Sequence, residues 1–165
     1  MVTKYEQLAE RVVEIAMRFN QLDEKCQAQG QAIAGRLACL LEAPDGRVVT
    51  VDLDDDLKAI GTTHELYARP KFVQGRDGRW YFGVRMRYQM RPPLGDFLQE
   101  TVVFAIRAEE PNFTSSGLRQ LEGAEREIRS TEDLDAFLLD FIEETEQRLA
   151  NGFVRRPIGF GFIVG

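Results

Sequence analysis

Histidine is nearly missing from this 165-residue chain: His64 stands alone, beside only two cysteines, Cys26 and Cys39, and one tryptophan. A lone histidine excludes two-histidine metal sites and His-x-x-x-His helices within one chain. The two cysteines fall in different expected elements, so no disulfide framework is expected. A cysteine metal site would need outside ligands, and both residues read as buried free thiols. No apolar run approaches the roughly 18–20 residues that cross a bilayer, and Met1–Leu8 lacks the basic-then-apolar layout of a secretory signal. The expected location is the cytoplasm, with no membrane contact.

Phosphate-cradling loops are also missing. There is no Gly-x-x-x-x-Gly-Lys-Ser/Thr loop and no Gly-x-Gly-x-x-Gly after a strand; Gly159-Phe160-Gly161 comes with no helix behind it. No Gly-x-Ser-x-Gly elbow accompanies His64 and its neighbour Glu65, and His64 reads as an exposed loop residue. No cofactor is implied.

What is present is an ordinary folding composition, 44% hydrophobic and 29% charged with a net charge of −6, enough for one domain with a real core. Thr3 and Glu6 have the spacing of a capping box. Behind them Tyr5, Leu8, Val12, Ile15, Phe19, Leu22 and Cys26 follow the alternating three- and four-residue steps of a heptad seam, interrupted at Gly30. The plainer reading is a helix over 1–30 packed mostly on its own sheet. The sharper one is a dimerisation element through Tyr5, Leu8, Val12, Ile15, Phe19 and Leu22.

Pro44-Asp45-Gly46 signals a turn, expected to join Arg36–Glu42 and Arg47–Leu53 as a hairpin, with helical continuation over Ile33–Leu41 as the alternative. A second hairpin is expected from Lys71–Gln74 through Arg76-Asp77-Gly78 into a long strand, Trp80–Met90, ended by Pro92 and Pro93. Glu100–Arg107 gives another strand. Asn112–Arg129 reads as an irregular connection with one helical turn near Leu118–Leu121. Ser130 or Thr131 caps a closing helix whose face is Leu134, Phe137, Leu138, Phe141, Ile142 and Leu149, stopped at Asn151-Gly152. The apolar tail 153–165 is expected to dock on the sheet. The whole is a single α+β domain: a long N-terminal helix, an antiparallel sheet of about five strands within 33–108, and a C-terminal helix, 130–152, packed on one sheet face.

Two acidic patterns carry part of a metal-binding spacing. Asp52-x-Asp54-x-Asp56 opens like a calcium loop, but Leu57 and Thr63 stand where Gly and Glu are required. Pro44-Asp45 and Asp56-x-Lys58 match a nuclease signature in which two acids hold a divalent cation and the lysine orients water. Seven strand residues separate the two acids by about 20 Å, too far to share an ion. A solvated acidic loop is the better reading, and no metal is expected.

Charge is segregated. Arg69–Arg91 holds seven basic residues against Asp77 alone, a local +6 that leaves −12 for the rest. Alternation along the long strand sends Trp80, Phe82, Val84 and Met86 to the core and Tyr81, Arg85, Arg87 and Arg91 to the other face. Arg76 and Arg79 lie on the same hairpin. A row of guanidinium forks on an open sheet face suits carboxylates or phosphates. The competing reading is internal neutralisation by the closing helix, which carries seven acids against Arg148. The leading expectation is a non-enzymatic adaptor, chaperone or inhibitor that binds an acidic protein segment through Arg85, Arg87, Arg91, Tyr81, Arg79 and Arg76. The alternative is a nucleic-acid or nucleotide-binding regulator on the same stripe; the third is the metal-dependent nuclease.

Overall fold

Thr3 opens the longest element of the computed structural model, which describes residues 3–59, 72–89, 97–108 and 116–155. Its hydroxyl accepts from the Glu6 amide while the Glu6 carboxylate accepts from the Thr3 amide at 2.7 Å, so both ends of the capping box are made. Helix α1 then runs Lys4–Leu40. It ends where Glu42 adopts a left-handed φ of 49° and Pro44 follows.

Two expectations change here. Gly30 does not interrupt the helix, and the segment from Ile33 onward is helical, so there is no Arg36–Glu42 strand and the sheet begins later than residue 33. The reason lies in packing. Ile33, Ala34 and Leu37 repeat at helical spacing and bury into the core with Cys26. Gly30 is where the helix touches the sheet: a Cβ there would lie 2.4 Å from the Phe72 ring. Gly35, in the same helix, has open space around it. Gly35→Ala is therefore expected to stabilise the protein by roughly 0.5–1 kcal/mol through helix propensity alone. Gly30→Ala should destabilise it, because Phe72 is buried and stacked on Phe82 at 5.1 Å with nowhere to go. Urea unfolding of the two variants checks the opposite signs.

Among the described residues, six strands form one antiparallel sheet: β1 (Val48–Val51), β2 (Val73–Gln74), β3 (Trp80–Gln89), β4 (Phe97–Ala108), β5 (Ser116–Gln120) and β6 (Arg126–Ile128). The order is β1-β3-β4-β5-β6, with β2 beside β3 beyond the end of β1. The long β3–β4 pair is the spine, in register from Trp80 opposite Ile106 to Gln89 opposite Phe97. β5 and β6 overturn the irregular connection and the helical turn expected within 112–129. Helix α2 (Thr131–Arg155) is capped by the Ser130 hydroxyl, which accepts from the Asp133 amide, and it continues past Gly152. The Lys71, Met90 and Pro92-Pro93 expectations and the docking of 156–165 lie outside the described residues, as do the side chains of 152–155.

Both helices cover the same sheet face. Phe82, Phe104, Ile106 and Leu118 from the strands pack against Cys26, Ile33 and Leu37 of α1 and Phe137, Leu138 and Phe141 of α2. Arg36 forks onto Asp135 at 2.5 and 2.6 Å, tying α1 to α2 and holding the Asp135 carboxyl below its usual range. This is the expected α+β arrangement of long helix, antiparallel sheet and C-terminal helix. Among the described residues no helix is long and apolar enough to cross a membrane.

Candidate functional site: a basic sheet face and a projecting helix

The sheet face away from the helices carries Tyr81, Gly83, Arg85 and Arg87 of β3, as alternation predicts. It is not an open arginine row. A second apolar cluster forms on it from Leu53, Tyr81 and Ala105, flanked by Leu57, Val73 and Val103. Gly83 makes room for that cluster, since a Cβ there would meet Val51 and Leu53 within 3 Å. Tyr81 is consequently only 7% exposed. Arg85, opposite Val49 and Thr101 in the register, is 6% exposed. Burial and the neighbouring Arg87 charge both pull its guanidinium below the usual value. The expectation that Tyr81 and Arg85 stand on the surface is corrected on these grounds.

The hairpin end of this face is neutralised, though by different acids from those anticipated. Arg79 bonds Glu125 at 2.8 Å and Asp77 at 3.0 Å; Arg107 reaches Glu125 at 2.9 Å. The Tyr81 hydroxyl donates to Asp77 at 2.8 Å and accepts from Arg119 at 3.2 Å. Desolvation pushes the Asp77 carboxyl up, but bonds from Tyr81 and Arg79 outweigh it and leave it below its usual range. Gly117 permits the arrangement, because a Cβ there would lie 2.6 Å from the Glu125 carboxylate. The acids of α2 are on the opposite face, where Asp140 pairs with Arg126 at 2.5 Å and Arg148 pairs with Glu100. Arg76 is exposed in its turn. Arg87 borders an open cleft of about 380 Å³ between Leu41–Pro44 and the end of β3. Arg91 and His64 lie outside the described residues.

The nuclease and calcium patterns do not assemble. Asp45 and Asp56 sit at opposite ends of β1, and the Asp56 and Lys58 amides both donate to the Asp54 carboxylate at 2.9 and 2.8 Å, closing a turn. Among the described residues, no three His, Cys, Asp or Glu side chains gather as a metal site. Both cysteines are free; Cys26 is buried, its thiol pushed up to about 12 by desolvation, but Cys39 is exposed, contrary to expectation.

The largest feature lies elsewhere. From Lys4 to Gln21 every residue of α1 is exposed, a rod about 27 Å long at 1.5 Å per residue. Tyr5, Leu8, Val12, Val13, Ile15 and Met17 are 57–80% exposed. The seam does not pack on its own sheet over this stretch, as the plainer reading had it. Among the described residues, contact begins at Phe19, still 43% exposed, whose ring meets Trp80 at 5.3 Å. Leu22 is half-buried against the core, and Cys26 is fully inside. One continuous seam therefore has two halves, one facing solvent and one facing the sheet. Two further features flank the exposed half. Lys4, Arg11, Arg18 and Lys25 line one side at seven-residue intervals, and Ala9 and Ala16 line the other. The heptad lettering contained this signal, in the positions beside the seam. Comparison of the chain with protein-family models, with curated proteins and with solved structures gave no match.

Proposed function

We propose that this is a non-enzymatic interaction protein whose α+β body holds out residues 4–21 of α1 as a docking arm for another amphipathic helix. The observation that carries the reading is the row of large apolar side chains at heptad spacing, more than half exposed, on a helix whose root is anchored in the core. Continuous apolar patches of this kind mark interaction sites, and helix-against-helix burial at three- and four-residue spacing is a standard way of covering them. Anchoring matters because a free helix of this length is marginal in water; here the arm propagates from a fixed turn. The two free cysteines, one of them exposed, fit a reducing compartment, and the reading places the protein in the cytoplasm. The acidic-partner reading moves away from the sheet face, since Arg79 and Arg85 are engaged or buried there.

The test is co-purification of the tagged chain from its native cells beside a Val12→Glu, Ile15→Glu variant. Both positions are solvent-exposed, so the variant should melt within about 2 °C of the parent, as surface changes of about ±0.5 kcal/mol do. Association of every kind, with itself or with other chains, should fall at least tenfold. Unchanged association would overturn the reading.

A further inference from the structure

Charge is sorted around the exposed length of α1. At about 100° per residue, Tyr5, Leu8, Val12 and Ile15 define a seam whose edge on one side carries Lys4 and Arg11, about 60–80° from its centre. Glu6, Glu10 and Glu14 lie about 140–180° away, on the back of the helix. The other edge, Ala9 and Ala16, bears no charge. A helix laid along the seam therefore meets positive charge on one flank and negative charge on neither. Among the described residues Lys4 and Arg11 make no ion pair, whereas Arg18, next along that side, has a partner within the chain.

The sheet limits the length that can be covered. Among the described residues the Phe19 ring already lies 5.3 Å from Trp80, and Leu22 packs on the core. What stays open is Tyr5–Ile15, about 16 Å of helix at 1.5 Å per residue. A partner helix covers those three turns and stops short of Phe19, so the body it belongs to lies beyond Tyr5. A second copy of this chain does not complement the flank. Packed parallel it would set its alanine edge against Lys4 and Arg11, and packed antiparallel its own bases, so in neither direction does it bring an acid there.

We propose that the occupant of the arm is a short amphipathic helix of another protein, with acidic side chains beside its apolar seam. The proposal rests on the docking reading above and names the partner's chemistry. Burial of the seam supplies affinity and the flank selects the partner, since charge at the rim of an interface discriminates more than it binds. An exposed opposite-charge pair strengthens association by a factor of about two, and a like-charge pair weakens it by as much. Exchanging base for acid opposite both Lys4 and Arg11 is thus worth about tenfold. The chain's net charge of −6 opposes any acidic partner at long range. At 0.15 M salt the Debye length is about 8 Å, and the contacts at the rim dominate.

Two synthetic peptides of about 18 residues test this, both with leucine and isoleucine at seam spacing, one with glutamate and one with lysine at the positions on either side. Each repels itself, so neither is lost to self-pairing. Fluorescence anisotropy of the labelled peptides, titrated with the full chain in 0.15 M NaCl, is expected to give a Kd of about 1–100 µM for the acidic peptide, as so small an interface implies, and one about tenfold weaker for the basic peptide. Lys4→Glu, Arg11→Glu should reverse that order with a circular dichroism melt within about 2 °C of the parent. Val12→Glu, Ile15→Glu should abolish binding of the acidic peptide. Equal affinities, tighter binding of the basic peptide, or an order unchanged by Lys4→Glu, Arg11→Glu would overturn the acidic-partner assignment and leave the docking reading standing. A chain that binds neither peptide at 200 µM, or binds the acidic one undiminished in the Val12→Glu, Ile15→Glu variant, would sink both. A chain that sediments alone as a dimer and sheds the acidic peptide as it dimerises would give the arm to a second copy and overturn the proposal.

Discussion

Phe104→Ala is expected to lower the unfolding free energy by about 3–5 kcal/mol, because it removes a fully buried ring from the point where strands and helix converge. The Phe104 ring lies 5.7 Å from Phe82 on the neighbouring strand, 5.3 Å from Phe141 and 6.2 Å from Phe137 on α2. Its loss leaves three aromatic neighbours facing a cavity that none can fill without dragging a strand or helix with it. Against the 5–15 kcal/mol typical of a domain, that is a large fraction of the total. Urea unfolding of the monomeric protein measures it. A cost below about 1 kcal/mol would mean that α2 is not packed on the sheet as described. The arm should be unaffected, since Tyr5–Ile15 touch none of these rings.

How much of this could be read beforehand follows from which forces act locally. The helix start was legible because a capping box is a contact between residues three apart. The β3 strand and its turn were legible because alternation and the Asp77-Gly78 pair are local as well; Gly78 does take a φ of 77°. The end of α1 was misjudged because Gly30 serves a distant partner, the Phe72 ring, that no window of sequence around it contains. Similarly, β5 and β6 have few β-branched residues. They are strands because the free edge of β4 accepts Ser116–Gln120 and Leu118 enters the core, which is tertiary pairing overriding local preference.

The exposure of Tyr81 and Arg85 was misjudged for a related reason. Alternation tells which side of a strand a residue occupies, and it placed Arg85 opposite Trp80 and Phe82 correctly. It does not tell what else the chain lays on that second side. Leu53 and Leu57 arrive there from a turn more than twenty residues earlier, and Glu125 arrives from a hairpin read as irregular. The same seam pattern conversely looked uniform from Tyr5 to Cys26, although its two halves have different surroundings. Periodicity specifies that a face will be covered; the length of the sheet decides how much of it the chain covers itself.

The central claim is that α1 is one helix in two environments, and amide hydrogen exchange on the full chain, diluted until it sediments as a monomer, tests it most directly. Amides of Ile33–Leu37 open only with the body and should exchange at least about a thousandfold more slowly than their intrinsic rates. Amides of Leu8–Ile15 belong to exposed residues with no tertiary contact among the described residues, and should exchange within about tenfold of a fraying helix. Their protection should rise only as the concentration rises or a partner is added. Equal, concentration-independent protection of both halves would show that the arm already belongs to the body, and would contradict the account.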